Sequence, residues 1–228
     1  IYSMGKIAVG YIFGMMFMVF GFWYARKQII AGSTIHLIGA LILIISSFVA
    51  YQPDFNVFSA KYSMVMMFLV SVCVALTAYI HNRTQLAHLA LAMAGLVPVL
   101  THVHGVTFFD ILVYLAIVIT GVVWLAFVTR WRSLILMSLL IVIMYSVSYI
   151  LGVLGDDPLL VKETVLVSLF GALFYITSLF SILRTEGYVI KDDGIVALLN
   201  AGYAIMWITS QANPELSPIL IATVGLIY

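Results

Sequence analysis

Charged residues divide this chain into long uncharged intervals, and the length of those intervals limits the folds available to it. The eight longest intervals between consecutive charged residues contain 19 to 26 residues each. A helix needs about 20 apolar residues to cross the hydrocarbon core, because each residue rises about 1.5 Å and the core is about 30 Å thick. Hydrophobic residues make up 64% of the chain and charged residues only 8%, so the sequence predicts a protein that lies in lipid.

The apolar runs favour helices over barrel strands. Strands of a membrane barrel alternate polar and apolar residues over about 10 positions, whereas the run ILVYLAIVITGVVWLAFV, residues 111–128, is apolar on every side. Backbone groups inside lipid must also be hydrogen-bonded within the protein, which a helix achieves by itself. We therefore predict an all-α fold, a polytopic transmembrane helical bundle with eight full spans and a partial ninth. The predicted spans are approximately 7–25, 33–52, 62–80, 86–104, 109–129, 133–154, 164–183, 194–212 and 216–228.

No long linker separates these spans, so we expect residues 1–228 to form a single transmembrane helical domain. The first apolar run lacks a small-residue cleavage site and is followed directly by Arg26 and Lys27, which is not the pattern of a cleavable signal peptide. The chain opens with Ile1 and stops at Tyr228 inside an apolar run. We expect it to be part of a longer protein.

The distribution of Lys and Arg predicts the orientation. The loops after the odd-numbered spans carry seven of these residues, and the N-terminal end together with the opposite loops carries three. Short loops rich in Lys and Arg remain in the cytoplasm. The N-terminal end of the segment is therefore predicted to lie outside and the Arg-rich loops to lie in the cytoplasm.

Pro98 lies inside the fourth predicted span, in the stretch LVPVLTHVHG. A proline within a membrane helix frees the carbonyl four residues earlier, that of Ala94, and bends the helix. Small residues around it, including Gly95, permit close helix packing. The favoured interpretation is a kinked, tightly packed helix, and the alternative is a hinge or a helix whose Pro98 region lines a ligand pathway.

His102 and His104 follow this proline at the end of the same span. Residues two apart on a helix point about 200° apart, so the two rings could share a metal only if the backbone there were extended. A metal site would need a third and a fourth ligand, and the candidates on that face are Asp110, Asp54, Asp156 and Asp157. A polar helix end is the favoured interpretation, and metal binding by His102, His104 and Asp110 stays open. The three other histidines are expected toward the cytoplasmic side, in contact with solvent or headgroups: His36, His81 and His88.

The eighth predicted span carries four polar or aromatic residues at helical spacing: Asn200, Tyr203, Trp207 and Gln211. This spacing places them in one stripe on the helix. The stripe is a candidate lining for a groove that binds a lipid or glycan chain. Hydrogen bonding between helices and an aromatic belt at the membrane surface explain it equally well.

Motifs of catalysis and nucleotide binding are absent from the sequence. No Asp, Glu, Lys or Arg is predicted at mid-membrane depth, which argues against an ion-driven transporter. No cofactor is expected. Membrane lipids are the expected partners, together with other membrane protein subunits, and a formal net charge of +1 gives no reason to expect nucleic acid.

A family resemblance follows from three stretches. The run QLAHLALAMAGLVPVL, Gln85 to Leu100, resembles a signature of a bacterial family of predicted multi-pass membrane proteins, the domain of unknown function 2339 family. Val97 and Ala94 stand where that pattern favours Thr and Gly. Residues 25–51, from a basic turn to a terminal Tyr, are also similar, as is the basic turn Arg130-Trp131-Arg132. The resemblance implies a longer polytopic chain in a bacterial cytoplasmic membrane and brings with it no reaction, cofactor or catalytic residue.

Three functions remain open at this point. The leading hypothesis is a structural or assembly component that acts by helix packing with partners. The second is a carrier or flippase for a lipid-linked or other amphiphilic substrate. The third is a membrane-embedded enzyme with a histidine site on the outer face, although the sequence favours a protein that is not an enzyme.

Overall fold

The structure is a computed structural model, and it describes residues 2–52, 55, 57–101, 106–151, 161–183, 191–211 and 225. All regular elements in these ranges are α-helices, which confirms the all-α class. The helices are α1 (Tyr2–Tyr24), α2 (Ile29–Tyr51), α3 (Ala60–Ile80), α4 (Thr84–Thr101), α5 (Phe108–Thr129), α6 (Ser133–Ile150), α7 (Val161–Leu183) and α8 (Lys191–Gln211).

Six of the eight helices, α1 to α6, are long and apolar enough to cross a membrane. Among the residues whose side chains the structure describes, α7 contributes the apolar stretch Thr164–Phe180, and α8 has no window that meets the same criterion. The membrane-spanning class is therefore confirmed for six of the expected spans. The expected ninth span, 216–228, lies outside the described residues except for Gly225.

The helices group into two compact units, Ile1–Thr107 and Phe108–Tyr228. The first unit contains α1 to α4, with α2 in contact with α1, α3 and α4, and α3 in contact with α4. The second unit contains α5 to α8, and each of these helices contacts two others. The expectation of a single domain stays a prediction.

In the first unit, glycines let α1 and α2 approach until their backbones touch. A β-carbon at Gly39 would lie 2.7 Å from the carbonyl oxygen of Gly14, and one at Gly21 would lie 2.8 Å from the carbonyl oxygen of Gly32. Side chains of ordinary size are excluded at these positions because the neighbouring atoms are backbone. Small residues allow membrane helices to approach closely. Such helices associate through dispersion contacts and hydrogen bonds, because the hydrophobic effect does not operate between them in lipid.

Two layers of hydrogen bonds tie α1, α2 and α3 together. In one layer the hydroxyl groups of Tyr11 and Ser47 lie 2.6 Å apart, and the hydroxyl of Ser63 donates a hydrogen bond of 2.7 Å to the Ser47 carbonyl. In the other, the Nδ1 atom of His36 donates to the carbonyl of Met18 at 2.9 Å. Each layer joins helices whose contact surfaces are otherwise apolar, and hydrogen bonds of this kind act as specific links between membrane helices.

In the second unit, the contacts run in a ring: α5 with α6, α6 with α8, α8 with α7, and α7 with α5. Arg132 at the start of α6 forms an ion pair with Asp193 in the first turn of α8. The side chain of Asp193 is only 5% exposed, compared with 20% for Arg132. Because the pair joins the N-terminal ends of both helices, α6 and α8 run in the same direction.

Candidate functional site

Helix α8 presents a buried polar and aromatic face to its neighbours in the second unit. Asn200, Tyr203 and Trp207 are 1%, 3% and 7% exposed. Their spacing of three and four residues places them on one side of the helix, as the sequence predicts. Gln211 is the last residue of α8, and its side chain lies outside the described part of the chain.

This face of α8 forms one wall of a groove, and α7 forms the other. The groove has a volume of about 410 Å³, which falls in the range of about 300–1,000 Å³ that is usual for ligand pockets. We call it the α7–α8 groove. It is lined by Val167, Ser168, Gly171, Ala172 and Tyr175 of α7 and by Asn200, Tyr203, Ala204, Trp207 and Ile208 of α8.

Asn200 links the two walls of this groove. Its Nδ2 atom donates a hydrogen bond of 2.9 Å to the carbonyl of Gly171. A β-carbon at position 171 would have no heavy atom of a neighbour within 4 Å, so the groove is open beside this glycine. A hydrogen bond between helices is what we expect if the stripe serves helix packing. The Asn200 side chain also lines the groove, as we expect if the stripe binds a ligand. Ligand binding by the four-residue stripe stays a prediction.

Aromatic rings gather where Trp207 meets α6. The Trp207 ring lies 6.5 Å from that of Tyr203 in an edge-on arrangement and 6.3 Å from that of Tyr149, nearly parallel to it. Tyr149 in turn stacks on Phe108 at 4.0 Å. Tyr149 and Trp207 belong to the C-terminal parts of α6 and α8, so this cluster lies at the opposite end of those helices from the Arg132 ion pair. Such rings carry a polar edge on an apolar body, which suits the end of a membrane-spanning segment.

Three buried polar atoms lie within this region: Ser146 Oγ, Tyr203 Oη and Trp207 Nε1. All three atoms are covered by the protein, and the Tyr203 hydroxyl is a hydrogen-bond partner of both Ser146 and Trp207. The three groups therefore satisfy one another in part, and the cluster links α6 to α8 by polar contacts.

The second unit also contains two grooves of a different character, between α5 and α7. Their volumes are about 260 and 300 Å³. Threonines are the polar residues among the described residues that line them, Thr177 in one and Thr120 in the other. The α7–α8 groove differs from them in that Asn200, Tyr203 and Trp207 are among the residues that line it.

Pro98 is buried in the interior of α4, which continues through it to Thr101. Ala90, Ala94 and Gly95 of the same helix are buried as well, in agreement with the interpretation of a tightly packed helix. Pro98 belongs to the first unit and the α8 stripe to the second. A role of Pro98 in lining a ligand pathway stays a prediction.

Of the three proposed metal ligands, only Asp110 belongs to the described residues. His102 and His104 lie outside the described residues, and Asp110 lies in the first turn of α5. Within the described ranges, no three His, Cys, Asp or Glu side chains come together as a group that could hold a metal ion. Metal binding by this set stays a prediction.

The expected solvent or headgroup contact of His36 is wrong. This side chain is 3% exposed, and its two ring nitrogens face the carbonyl of Met18 on α1 and, at 3.1 Å, the hydroxyl of Thr77 on α3. Glycine packing between α1 and α2 brings the ring to the backbone of α1. The Nδ1 atom of His88 lies 2.8 Å from the carbonyl oxygen of Thr84, one turn earlier in the same helix.

Sequence reasoning also missed the residues of α6 that complete the aromatic and polar cluster. Ser146 and Tyr149 occur in the run MYSVSY with a spacing of three residues, which places them on one face of the helix. That spacing was a usable signal. It was not decisive, because nothing in the sequence says that this face of α6 meets α8 rather than lipid.

The family comparison agrees with this architecture. A family model described as predicted membrane protein, DUF2339, matches residues 4–227. Comparison with curated proteins and with solved structures gave no match. Because the match extends over almost the whole sequence, the chain belongs to the DUF2339 family of predicted membrane proteins.

Proposed function

We propose that this membrane protein is a carrier for an amphiphilic substrate, and that the apolar chain of the substrate lies in the α7–α8 groove. The observation that carries the proposal is the combination of a volume of about 410 Å³ with amide, hydroxyl and indole groups on one helix face. Ligand sites usually join an apolar lining with a few placed polar groups. Val167, Ala172 and Ile208 supply the apolar part, and the polar residues Ser168, Asn200 and Tyr203 belong to the same lining.

The geometry of α7 gives this proposal further support. Gly171 removes side-chain bulk from the middle of the groove, and its carbonyl holds Asn200 in place. A substrate chain that enters from the bilayer therefore meets a wall that is already organised. Ordering of the wall before binding lowers the entropy lost on association.

The proposed topology is the one that the distribution of Lys and Arg among the loops predicts. The carrier crosses a bacterial cytoplasmic membrane eight times within residues 7–212, with the N-terminal end of the segment outside and the Arg-rich loops in the cytoplasm. The pairing of Arg132 with Asp193 supports this arrangement, because it places the α5–α6 connection and the start of α8 at the same end of the second unit.

The test is a flipping assay in liposomes. The purified protein is reconstituted with a neutral glycolipid that carries an NBD fluorophore, and dithionite bleaches the label in the accessible leaflet. We expect faster and more complete bleaching with the wild type than with empty liposomes. Gly171→Leu should abolish the increase, because a side chain at this position extends into the groove and its β-carbon meets no neighbour. Asn200→Leu should also abolish it.

The matched control is Gly121→Leu on α5. A β-carbon at this position also has no heavy atom of a neighbour within 4 Å, and Gly121 does not line the α7–α8 groove. This variant should flip the probe like the wild type. If Gly171→Leu is as active as Gly121→Leu, or if the wild type does not exceed empty liposomes, the proposal is wrong.

A second candidate is an assembly function through helix packing with partner subunits. It is favoured by Gly121 and Gly202, which are exposed on α5 and α8 and have open space where a β-carbon would stand. Small residues on membrane helices allow another helix to approach closely. Co-purification of a defined complex that Gly202→Leu disrupts would support this candidate. The enzyme hypothesis has no observation in its favour within the described residues.

A further inference from the structure

Three exposed cations meet at one end of the first unit. Arg26 and Lys27 lie in the turn between α1 and α2, and Arg83 immediately precedes α4. The ring of Phe22, near the end of α1, lies 5.6 Å from the ring of His81, which follows α3. This contact brings the two turns together. We call Arg26, Lys27 and Arg83 the basic cluster.

Aromatic rings position two of these cations without neutralising them. The guanidinium carbon of Arg26 lies 5.6 Å from the centroid of the Phe22 ring, and the ammonium of Lys27 lies 5.3 Å from that of the Trp23 ring. A ring attracts a cation through its quadrupole but carries no net charge. Both positive charges therefore remain available to an anion.

The first unit has almost no negative charge of its own to offset the basic cluster. Asp54 is the sole acidic residue among residues 1–107, and it follows α2 in the sequence, whereas the basic cluster precedes α2 and follows α3. The described part of this unit contains no carboxylate. In the second unit, by contrast, Asp193 forms an ion pair with Arg132. The basic cluster therefore requires an anion from outside the unit.

The neighbours of the basic cluster show where that anion comes from. Trp23 is 55% exposed, Ile30 82% and Ile80 60%, and each lies within four residues of one of the cations. Exposed apolar side chains of a membrane helix face lipid, and Trp prefers the level of the headgroups. The cations therefore lie at the depth of the lipid phosphates. An acidic soluble protein would leave the adjacent apolar side chains uncovered.

We propose that the basic cluster binds the phosphodiester of an anionic phospholipid. Arg26 and Arg83 donate to the phosphate oxygens, since guanidinium groups match phosphate geometry in a bidentate manner. The N-termini of α2 and α4 lie at the same end and add the positive ends of their dipoles. A zwitterionic lipid binds more weakly because its own ammonium group is repelled by the cluster. This site lies in the first unit and does not depend on the proposed function of the α7–α8 groove.

The test compares phosphatidylglycerol with phosphatidylcholine of identical acyl chains. Each lipid is titrated into the purified full chain in detergent, and the lipid-bound fraction is measured by native mass spectrometry. We expect the wild type to bind phosphatidylglycerol about tenfold more tightly, because each cation near the headgroups contributes to the attraction. The double variant Arg26→Gln and Arg83→Gln should reduce this preference to about twofold or less. Arg26→Lys with Arg83→Lys should retain most of it, because the charges remain.

A matched control removes two exposed cations from the second unit, Arg130→Gln with Lys191→Gln. It should keep the wild-type preference. The glutamine variant of the basic cluster should melt like the wild type, because both side chains are exposed. If it does not fold, loss of the preference in the folded lysine variant overturns the proposal and retention supports it.

Three results would overturn the site. They are a wild type without preference, a glutamine variant of the basic cluster that keeps the preference, and an equal loss in the control of the second unit. Excess inorganic phosphate should leave phosphatidylglycerol bound, since it offers no acyl chain for the apolar side chains beside the cluster. Displacement of the lipid by inorganic phosphate would assign the site to a soluble anion and refute lipid binding.

Discussion

Replacing Gly39 by Ala tests whether α1 and α2 pack with their backbones in contact. The added β-carbon would lie 2.7 Å from the Gly14 carbonyl oxygen and 2.9 Å from the Phe17 carbonyl carbon. Real β-carbons essentially never approach other heavy atoms to less than 3.0 Å. The atoms in the way are backbone, so no side-chain rotation relieves the clash, and the two helices must move apart.

The expected loss of stability follows from two opposing effects. Extra bulk in a well-packed interior costs about 1–3 kcal/mol, and the upper end applies because backbone atoms are displaced. Alanine is favoured over glycine within a helix by about 1 kcal/mol. The net change is about 2 kcal/mol of destabilisation, which lowers the Tm of a chain of this size by about 4–8 °C. Separation of the helices also draws His36 away from the Met18 carbonyl.

The assay is thermal unfolding in detergent, followed by the loss of the monodisperse peak in fluorescence-detected size-exclusion chromatography. The control is Gly121→Ala on α5, where the added β-carbon meets no neighbour within 4 Å. This change should raise the Tm by about 2–4 °C, since only the helix preference of alanine acts. A rise of the Tm in Gly39→Ala similar to that in Gly121→Ala would refute the backbone contact between α1 and α2.

Two further predictions use the same melting assay. His36→Leu removes two hydrogen bonds between helices, each worth about 0.5–1.5 kcal/mol, whereas Thr77→Val removes one of these and a bond within its own helix, to the Cys73 carbonyl. Because such a bond within a helix adds little stability, His36→Leu should lower the Tm more than Thr77→Val, and equal effects would contradict the bond to Met18. Arg132→Ala should destabilise by about 1.5–3 kcal/mol, because a charge-assisted hydrogen bond is lost and Asp193 is buried. Asp193→Asn should cost less, since the amide oxygen still accepts from Arg132; a larger effect of Asp193→Asn would contradict this account.

Much of the fold follows from the spacing of charged residues. Helices α1 to α6 lie close to the predicted spans because lipid excludes charged side chains from its core and requires every backbone group to be bonded within the helix. Because lipid excludes charged side chains, the Arg and Lys residues are expected in the turns between the helices. Helix α7 starts near its predicted boundary as well.

The candidate site could be predicted only in part. The spacing of Asn200, Tyr203 and Trp207 predicts that they share one face of α8, because residues three and four apart lie on the same side of any helix. Their partners could not be predicted. Gly171 contributes its backbone carbonyl, and a backbone group cannot be recognised from a pattern of side chains. Ser146 is one of several residues with a hydroxyl group in the apolar runs, so its position in the sequence does not distinguish it.

His36 shows why sequence position is a poor guide to burial in this protein. It lies seven residues into α2, which suggested contact with headgroups, and yet it is buried against α1 and α3. The sequence by itself determined the helical class and the approximate bounds of α1 to α6, because crossing a bilayer is a property of one helix at a time. Only the tertiary structure decided which helix faces meet. These helices are apolar on all sides, so no polar side marks the face that is turned away from the protein. Their packing depends instead on small residues and on single hydrogen bonds.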